Sequence, residues 1–281
     1  MSALRPALGE VAMTAISKLL GDFAGLRRIC GSRMAIKWMI CCFLNVRRIL
    51  KSGNLKSADE AMGQGPFLIR LRRYNCSFEI KGPAIVSGMR EMYARDTYFR
   101  GGKLRVADGD TVVDLGANIG NLTNMALACG PNVRVVAVEP SRALNDLFWN
   151  SVNLNCGFAQ RISLIRSFVG GPMNDKMAAV IREDENYRDA PWISEDELIS
   201  RGNISVINFL KCDIEGGEYD LLHAGSRLLA MTERLAIEIH AFAGEPRKLI
   251  AEINSQGLET VLIDWDPDGT CTALFTRPSL G

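Results

Sequence analysis

The amino-acid sequence predicts an α/β protein with a mostly parallel seven-stranded sheet, a C-terminal antiparallel hairpin and a helical N-terminal extension. From residue 111 onward, short apolar runs rich in β-branched residues alternate with helix-like segments. This alternation is typical of parallel strands whose crossover helices cover both faces of a sheet. The chain ends differently, because the turn sequence DPDG (266–269) separates two strand-like runs at 258–265 and 270–276.

The first 60 residues are predicted to form a basic helical extension that precedes the main domain at 61–281. Apolar residues recur here at helical spacing, as at Leu19, Phe23 and Leu26. The region holds ten Lys/Arg and four Asp/Glu, although the whole chain has a net charge of +1. A basic amphipathic helix lies either on a membrane surface or on its own domain with the basic face solvated, and both interpretations stay open.

The elements of the main domain follow in order along the chain. Two short strands at 67–73 and 76–80 are expected to precede a helix at 85–99. Five parallel strands are expected at 111–114, 133–139, 162–166, 206–213 and 235–240, with helices at 120–129, 142–154, 218–229 and 245–255. The long polar connection at 171–204 is either a lid over a site or a surface excursion.

Composition excludes several classes of protein. A net charge of +1 and a pI near 7.5 argue against a nucleic-acid partner. The eight cysteines form no C-x-x-C pair, which argues against a zinc or redox site and favours reduced thiols in the cytoplasm. The run MAIKWMICCFL (34–44) is much shorter than the ~20 residues of a membrane-spanning helix, so we expect no transmembrane segment.

A glycine-rich turn after the strand at 111–114 predicts a nucleoside site. It reads DLGANIG, from Asp114 to Gly120. A carboxylate before the first glycine would repel the pyrophosphate of a dinucleotide, whereas it favours the ammonium and sulfonium of S-adenosylmethionine. The next strand ends in Glu139, where an acid can accept hydrogen bonds from both ribose hydroxyls.

The order of strands favours the same cofactor. Five parallel strands followed by a hairpin is the arrangement of class I methyltransferases, a Rossmann-like fold, whereas a dinucleotide oxidoreductase normally continues with a sixth parallel strand. Two alternatives remain: a nicotinamide-dependent oxidoreductase and a non-catalytic nucleoside-binding scaffold.

A second unusual stretch, INFLKCDIEGGEYDLL (207–222), carries charges on an apolar strand. Lys211 and Asp213 share one face because side chains alternate along a strand. Charges there are costly unless they open onto a polar cleft, and the carboxyl edge of a parallel sheet is where ligands bind.

These motifs resemble the FkbM family of S-adenosylmethionine-dependent methyltransferases, over roughly residues 65–277. The resemblance lies in DLGANIG (114–120), KCDIEGGE (211–218) and EIH (238–240), in that order. It implies that the turn residues hold the methionine and ribose parts of the cofactor, Glu139 the ribose hydroxyls, and Ser167 and Phe168 the adenine. The predicted cofactor site comprises Asp114, Gly116, Ala117, Asn118, Gly120, Asn121, Glu139, Pro140, Ser167 and Phe168.

The resemblance implies the class of acceptor, and the catalytic residues are predicted from two neighbouring strands, whose ends bring Asp213, Glu238 and His240 to one edge of the sheet. We expect methyl transfer to a hydroxyl of a sugar or glycosylated metabolite, a small molecule or glycan, with His240 or Asp213 accepting the proton and Glu238 orienting the base or substrate. Tyr187 and Trp192 would stack on the sugar if the 171–204 connection is a lid. We predict no metal site, although Asp213, Glu215, Glu218, Glu238 and His240 offer ligands for a Mg²⁺-like ion and keep that alternative open.

Overall fold

The computed structural model describes residues 8–170 and 183–278 of the chain and confirms the predicted α/β sheet. Seven strands lie in the order β10-β11-β9-β8-β3-β4-β5. The five strands from β9 to β5 in this order are parallel to one another. The two strands at the other edge, β10 and β11, form the antiparallel hairpin, and β11 pairs with β9. The strands of this sheet are β3 (Thr111–Leu115), β4 (Arg134–Val138), β5 (Ile162–Ile165), β8 (Phe209–Cys212), β9 (Arg234–Ile239), β10 (Glu259–Trp265) and β11 (Cys271–Thr276).

Two small two-stranded sheets flank the main one. The first is the hairpin of β1 (Phe67–Leu71) and β2 (Cys76–Ile80), and the second joins β6 (Phe168–Val169) to β7 (Trp192–Ile193) in parallel. The helices are α1 (Leu8–Cys30), α2 (Ser32–Leu44), α3 (Val46–Ser52), α4 (Lys56–Ala61), α5 (Ile85–Gly88), α6 (Asn121–Ala128), α7 (Arg142–Val152), α8 (Glu195–Arg201), α9 (Glu218–Leu221), α10 (Arg227–Met231) and α11 (Pro246–Ser255). Among these described helices, none is long and apolar enough to cross a membrane.

Two predicted helices were wrong in their extent. The helix expected at 85–99 is α5 followed by a π-helix at Met89–Ala94, in which the Arg95 amide donates to the Arg90 carbonyl, and it ends because Asp96 takes a left-handed conformation (φ +59°). The helix expected at 218–229 is two short helices: α9 ends where Leu222 leaves the helical conformation (φ −107°, ψ +42°), and α10 begins only after Gly225, whose φ is +94°.

Side-chain alternation along the strands builds two apolar layers, one on each face of the sheet. Val112 of β3 belongs to the layer that includes the N-terminal helices, α6 and α7, whereas Val113 and Leu115 belong to the layer around α8 to α11. On the first face, Asp114 comes two residues after Val112 in β3, and Lys211 comes two residues after Phe209 in β8. Residues two apart in a strand point to the same face. Polar side chains therefore continue the apolar face at the carboxyl ends of the strands.

Buried ion pairs connect the N-terminal helices to the π-helix. The Arg90 guanidinium donates to Asp22 of α1 at 2.6 Å and to Asp59 of α4 at 2.6 Å, and Asp59 also accepts from the indole of Trp38 at 2.8 Å. Burial raises the pKa of Asp22, but hydrogen bonds and the charges of Arg95 and Arg90 outweigh it, so the net shift is downward. Because unpaired buried charges are strongly unfavourable, this network fixes the segment that follows Arg90.

The described part of the 171–204 connection, 183–204, contacts the main sheet. It returns as β7 beside β6 and then forms α8, whose N-terminus is closed by a capping box between Ser194 and Glu197. Residues 171–182 of this connection, predicted to be either a lid or a surface excursion, lie outside the described residues.

Candidate active site

A cavity of about 420 Å³ lies at the carboxyl edge of the parallel strands. It is bounded by the glycine turn after β3, the ends of β4 and β8, β6, and the segment from 83 to 98. The side chains and turns that line it include Gly88, Glu91, Met92, Tyr98, Asp114, Gly116, Ala117, Asn118, Asn121, Glu139, Pro140, Ser167, Phe168, Tyr187, Lys211, Asp213 and Glu215.

The glycine turn is held tightly against the end of β8. Gly116 has a φ of +71°, and a Cβ atom built there would overlap the backbone carbonyl oxygen of Asp213. The amides of Gly116 and Ala117 both donate to the carbonyl of Val138 at 3.0 Å. Glycine is thus required at this position both by conformation and by the close approach of two backbones.

Asp114 is buried beneath the turn with one oxygen bonded and one free. Its Oδ2 accepts from the Thr123 hydroxyl at 2.7 Å, whereas its Oδ1 has no hydrogen-bond partner among the described residues. Burial raises the pKa of this carboxyl, and the nearby Lys211 ammonium opposes that rise. A buried oxygen of this kind is unfavourable until a donor reaches it.

Lys211 supplies a cation that the sequence argument about Asp114 did not include. Its Nζ donates to the carbonyls of Leu115 (3.0 Å) and Gly116 (2.8 Å), and lies 3.9 Å from Asp114 Oδ1 and 3.3 Å from Asp213 Oδ2. Burial lowers the pKa of Lys211, but the charges of Asp213 and Asp114 outweigh burial and raise it. The ammonium is therefore charged and bridges the two carboxylates.

Glu139 closes the turn from the neighbouring strand. Its two oxygens accept from the backbone amides of Asn118 and Ser141, both at 2.9 Å. Burial raises the pKa of Glu139, and these amides partly offset the rise. Each carboxylate oxygen has a second lone-pair site, so the side chain keeps acceptor capacity for two hydroxyls at the cavity.

Several buried polar atoms at the cavity have no hydrogen-bond partner among the described residues. Among the described residues, Asp114 Oδ1, Asn121 Oδ1 and Ser167 Oγ are buried without a hydrogen-bond partner, and all three residues line the cavity. Phe168 beside them stacks on Trp192, with ring centroids 4.6 Å apart. An apolar, flat surface next to polar acceptors and a donor fits a nucleoside with an attached amino acid.

Two carboxylates, Asp213 and Glu238, flank the Tyr98 hydroxyl and form what we call the acidic wall. The Tyr98 hydroxyl lies 3.2 Å from Asp213 Oδ2 and 3.5 Å from Glu238 Oε2. Burial and these two carboxylates raise the pKa of Tyr98 well above its usual value, so the phenol stays neutral and donates. Burial, and then repulsion from Asp213, raise the pKa of Glu238 to about 7.

His240 lies behind this wall and does not line the cavity. Its Nδ1 is 3.1 Å from Oε1 of the fully buried Glu218, and its Nε2 is 3.5 Å from Glu215. Burial opposes the charged ring, but the hydrogen bond to Glu218 and the surrounding carboxylates raise its pKa to about 9. This shift favours the protonated imidazole at neutral pH.

The same geometry bears on the metal alternative. Ligand atoms of Asp213, Glu215 and His240 lie within 4.8 Å of one another, a spacing that suits a cation. The His240 ring is engaged by Glu218 Oε1, which also accepts from the amides of Ile214 and Gly216, so a metal would have to compete with a proton and with these bonds for the imidazole. The cluster is accounted for by ion pairing around His240, and the absence of a metal site stays a prediction.

The structure brings together nearly all the side chains that the sequence singled out. Of the predicted cofactor residues, only Gly120 is not at the cavity; it ends the turn at φ +83°, and a Cβ there would press on Phe148. Asp213 lines the cavity, whereas Glu238 is reached through Tyr98. Sequence reasoning missed Glu91 and Tyr98, because the segment 85–99 was interpreted only as a helix.

Comparison with known families decides the class of protein. The family model for the methyltransferase FkbM domain matches residues 114–259, which contain the glycine turn, the acidic stretch after β8, and β9 with the His240 that follows it. The chain belongs to this family. It is an S-adenosylmethionine-dependent methyltransferase, and the nicotinamide-dependent alternative is set aside.

Individual relatives of this FkbM-family enzyme are distant. The hexuronic acid methyltransferase AglP of Haloferax volcanii is 21% identical over 225 residues, covering 78% of this chain and 89% of the relative. Fibrillarin of Aeropyrum pernix, solved with bound S-adenosyl-L-methionine, is 17% identical with a TM-score of 0.36, covering 62% of this chain and 69% of that one. Precorrin-6y C5,15-methyltransferase of Geobacter metallireducens is 12% identical with a TM-score of 0.39, covering 63% and 84%.

Proposed function

We propose that this enzyme transfers a methyl group from S-adenosylmethionine to a hydroxyl of a sugar or glycosylated acceptor. The observation that carries the proposal is the position of Asp213, a carboxylate on the cavity wall that is bonded to Tyr98 and paired with Lys211. The printed name of AglP, a hexuronic acid methyltransferase, supports a sugar as the acceptor class.

The cofactor-binding residues are proposed from the fit of the cavity. Asp114 Oδ1, Asn121 and Ser167 offer unpartnered acceptors, Glu139 offers its remaining lone pairs to ribose hydroxyls, and Phe168 offers a flat apolar surface. When bound, S-adenosylmethionine supplies the methyl group on a cationic sulfur. The carboxylates of Asp114 and Asp213 favour that positive charge next to the turn.

Asp213 is the proton acceptor that the geometry favours. Of the two acceptors considered from sequence, Asp213 lines the cavity, whereas His240 lies outside it beside Glu218 and Glu215, whose charges raise the pKa of the imidazole. Tyr98 donates its one hydroxyl hydrogen to Asp213 Oδ2, the nearer carboxylate oxygen at 3.2 Å, while Glu238 Oε2 lies 3.5 Å from the same hydroxyl. The other Asp213 oxygen is left for a hydroxyl proton. In such a displacement the protein has to align the acceptor and remove its proton.

The acceptor class is tested by direct transfer. With methyl-labelled S-adenosylmethionine, we expect label to appear on glycosides and uronic acids, and to be lost when the acceptor hydroxyl is replaced by hydrogen. Mass spectrometry of the product locates the methyl group. Transfer to amines or to RNA, with none to any sugar hydroxyl, would contradict the proposal.

We also propose a cytoplasmic location with contact to an anionic membrane surface through α2 and α3. Residues 32–52 contain five Lys/Arg and no acidic residue. Six large apolar side chains of this region are exposed: Ile36 (51%), Ile40 (52%), Phe43 (78%), Leu44 (73%), Val46 (45%) and Leu50 (79%). Exposed apolar residues flanked by cations match the interface of an anionic bilayer. The eight described cysteines are all unpaired, as expected in a reducing compartment.

Vesicle sedimentation tests this surface. We expect the wild-type protein to sediment with phosphatidylserine-rich vesicles, less so in high salt, and the double variant Phe43→Ser/Leu50→Ser to remain in the supernatant, because two of the most exposed apolar anchors are lost. Leu68→Ser, an exposed apolar residue on β1, is the matched control and should sediment normally. Equal sedimentation of the double variant, or a dimer in free solution that this variant abolishes, would assign the surface to something other than lipid.

A further inference from the structure

A second concave site, which we name the arginine cleft, lies between the end of α1 and the β1–β2 hairpin. Its volume is about 460 Å³. The cleft is strongly basic, because a single carboxylate, that of Asp96, lines it together with seven cationic side chains: Arg28, Arg70, Arg72, Arg73, Arg95, Arg100 and Lys103.

The charges of the arginine cleft are only partly balanced by the protein. Arg95 donates to Asp22, and Arg100 pairs with Asp264. Asp96 accepts from the Tyr74 hydroxyl at 2.8 Å and from the Gly101 amide at 2.6 Å, and it pairs with Arg73 at 3.8 Å. Within the described residues, the side chains of three of the cations have neither a hydrogen bond nor an ion pair: Arg70, Arg72 and Lys103.

Several unpaired cations in one concavity indicate an anionic ligand. Like charges held close together repel one another, and an anion relieves that repulsion. Guanidinium groups bind phosphate oxygens through paired hydrogen bonds, and a diphosphate carries enough charge to engage several of them at once. A ligand with a single carboxylate would leave most of these cations uncompensated. The volume of the arginine cleft suits a single ligand group rather than a nucleic-acid duplex.

The arginine cleft and the active-site cavity share a wall, the segment 91–98. Glu91, Met92 and Tyr98 line the cavity, whereas the intervening residues 93–96 line the cleft. On the cavity side this wall carries Glu91, and Asp213 and Glu215 also line the cavity, so phosphate is repelled there and an anionic part of the acceptor is favoured in the arginine cleft. We propose that the arginine cleft binds a phosphate or diphosphate group carried by the sugar acceptor, an inference that rests on the proposed function for its choice of acceptor.

Calorimetry with the full chain and inorganic pyrophosphate tests the cleft without any need for turnover. We expect pyrophosphate to bind in the presence of S-adenosylhomocysteine, and Arg70→Gln/Arg72→Gln to weaken it at least tenfold. Arg47→Gln/Arg48→Gln removes two exposed arginines of α3 outside the cleft and should leave affinity unchanged. Glucuronate, a carboxylate without phosphate, should bind at least tenfold more weakly. No pyrophosphate binding, or the same loss in both double variants, would overturn the proposal.

Steady-state kinetics then tests the link to the acceptor. Arg70→Gln/Arg72→Gln should raise KM at least tenfold for a sugar carrying a diphosphate, with kcat retained and the KM for the free sugar unchanged. Parallel assays with nucleoside-diphosphate and polyprenyl-diphosphate sugars identify which source carries the group. An equal change in KM for free and phosphorylated sugars refutes the link. If no sugar is methylated at all, the proposed function fails, and the calorimetric result still decides whether the cleft binds phosphate.

Discussion

Gly116→Ala is expected to abolish binding of S-adenosylhomocysteine and to lower the rate of methyl transfer at least about 100-fold, since a displacement near 1 Å at a site is enough for that loss. A Cβ at this position overlaps the carbonyl oxygen of Asp213, and the backbone must also hold a φ of +71°. Either the glycine turn or the end of β8 must move. Both carry cavity residues, Asp114 on one side and Asp213 on the other, so the cofactor and catalytic sides of the cavity are disturbed together.

A second glycine separates this steric effect from the cost of backbone conformation. Gly109, in the turn before β3, has a φ of +86° and open space where its Cβ would lie. Gly109→Ala therefore carries only the strain of a left-handed alanine, about 1–2 kcal/mol, at the opposite end of the same strand. Thermal unfolding with and without S-adenosylhomocysteine measures both variants, since a ligand of the native state raises the midpoint. A normal ligand-induced rise in Gly116→Ala would show that the turn does not shape the cofactor site.

The strand pattern and the glycine turn made much of this fold predictable from sequence. Local alternation fixes which face each residue occupies, so Lys211 and Asp213 are predicted to share one face, and the structure places the Lys211 ammonium 3.3 Å from Asp213 Oδ2. The order of five parallel strands and a hairpin is observed, with strand ends within a few residues of those expected. Periodicity is a local signal, and it succeeds where the local preference and the tertiary structure agree.

Long-range contacts account for what the sequence did not reveal. The π-helix at Met89–Ala94 carries Arg90, whose partners Asp22 and Asp59 come from distant helices, and no pattern within 85–99 indicates them. The resulting path of the chain places Tyr98 against Asp213. Likewise, Lys211 was seen as a charge on a strand, but its bonds to the carbonyls of Leu115 and Gly116 depend on the neighbouring strand.

Asp213→Asn is expected to lower kcat by roughly 10²–10⁴-fold while S-adenosylhomocysteine still raises the unfolding midpoint. Asparagine keeps the volume of the side chain and accepts the Tyr98 hydroxyl, but its amide cannot take up a proton from the substrate hydroxyl. Lys211 retains Asp114 as an anionic partner, so the buried cation is not left unpaired. The loss should therefore appear in the rate with both substrates saturating rather than in cofactor affinity.

The comparison with two further variants makes this assignment decisive. Asp220→Asn alters an exposed carboxylate on α9 and should leave kcat unchanged. His240→Gln should lower kcat less than Asp213→Asn, because the imidazole is held as a cation by Glu218 and Glu215 outside the cavity. A wild-type rate in Asp213→Asn together with a large loss in His240→Gln would return the role of proton acceptor to the histidine, and would require that ring to give up the proton that its carboxylate neighbours hold at neutral pH.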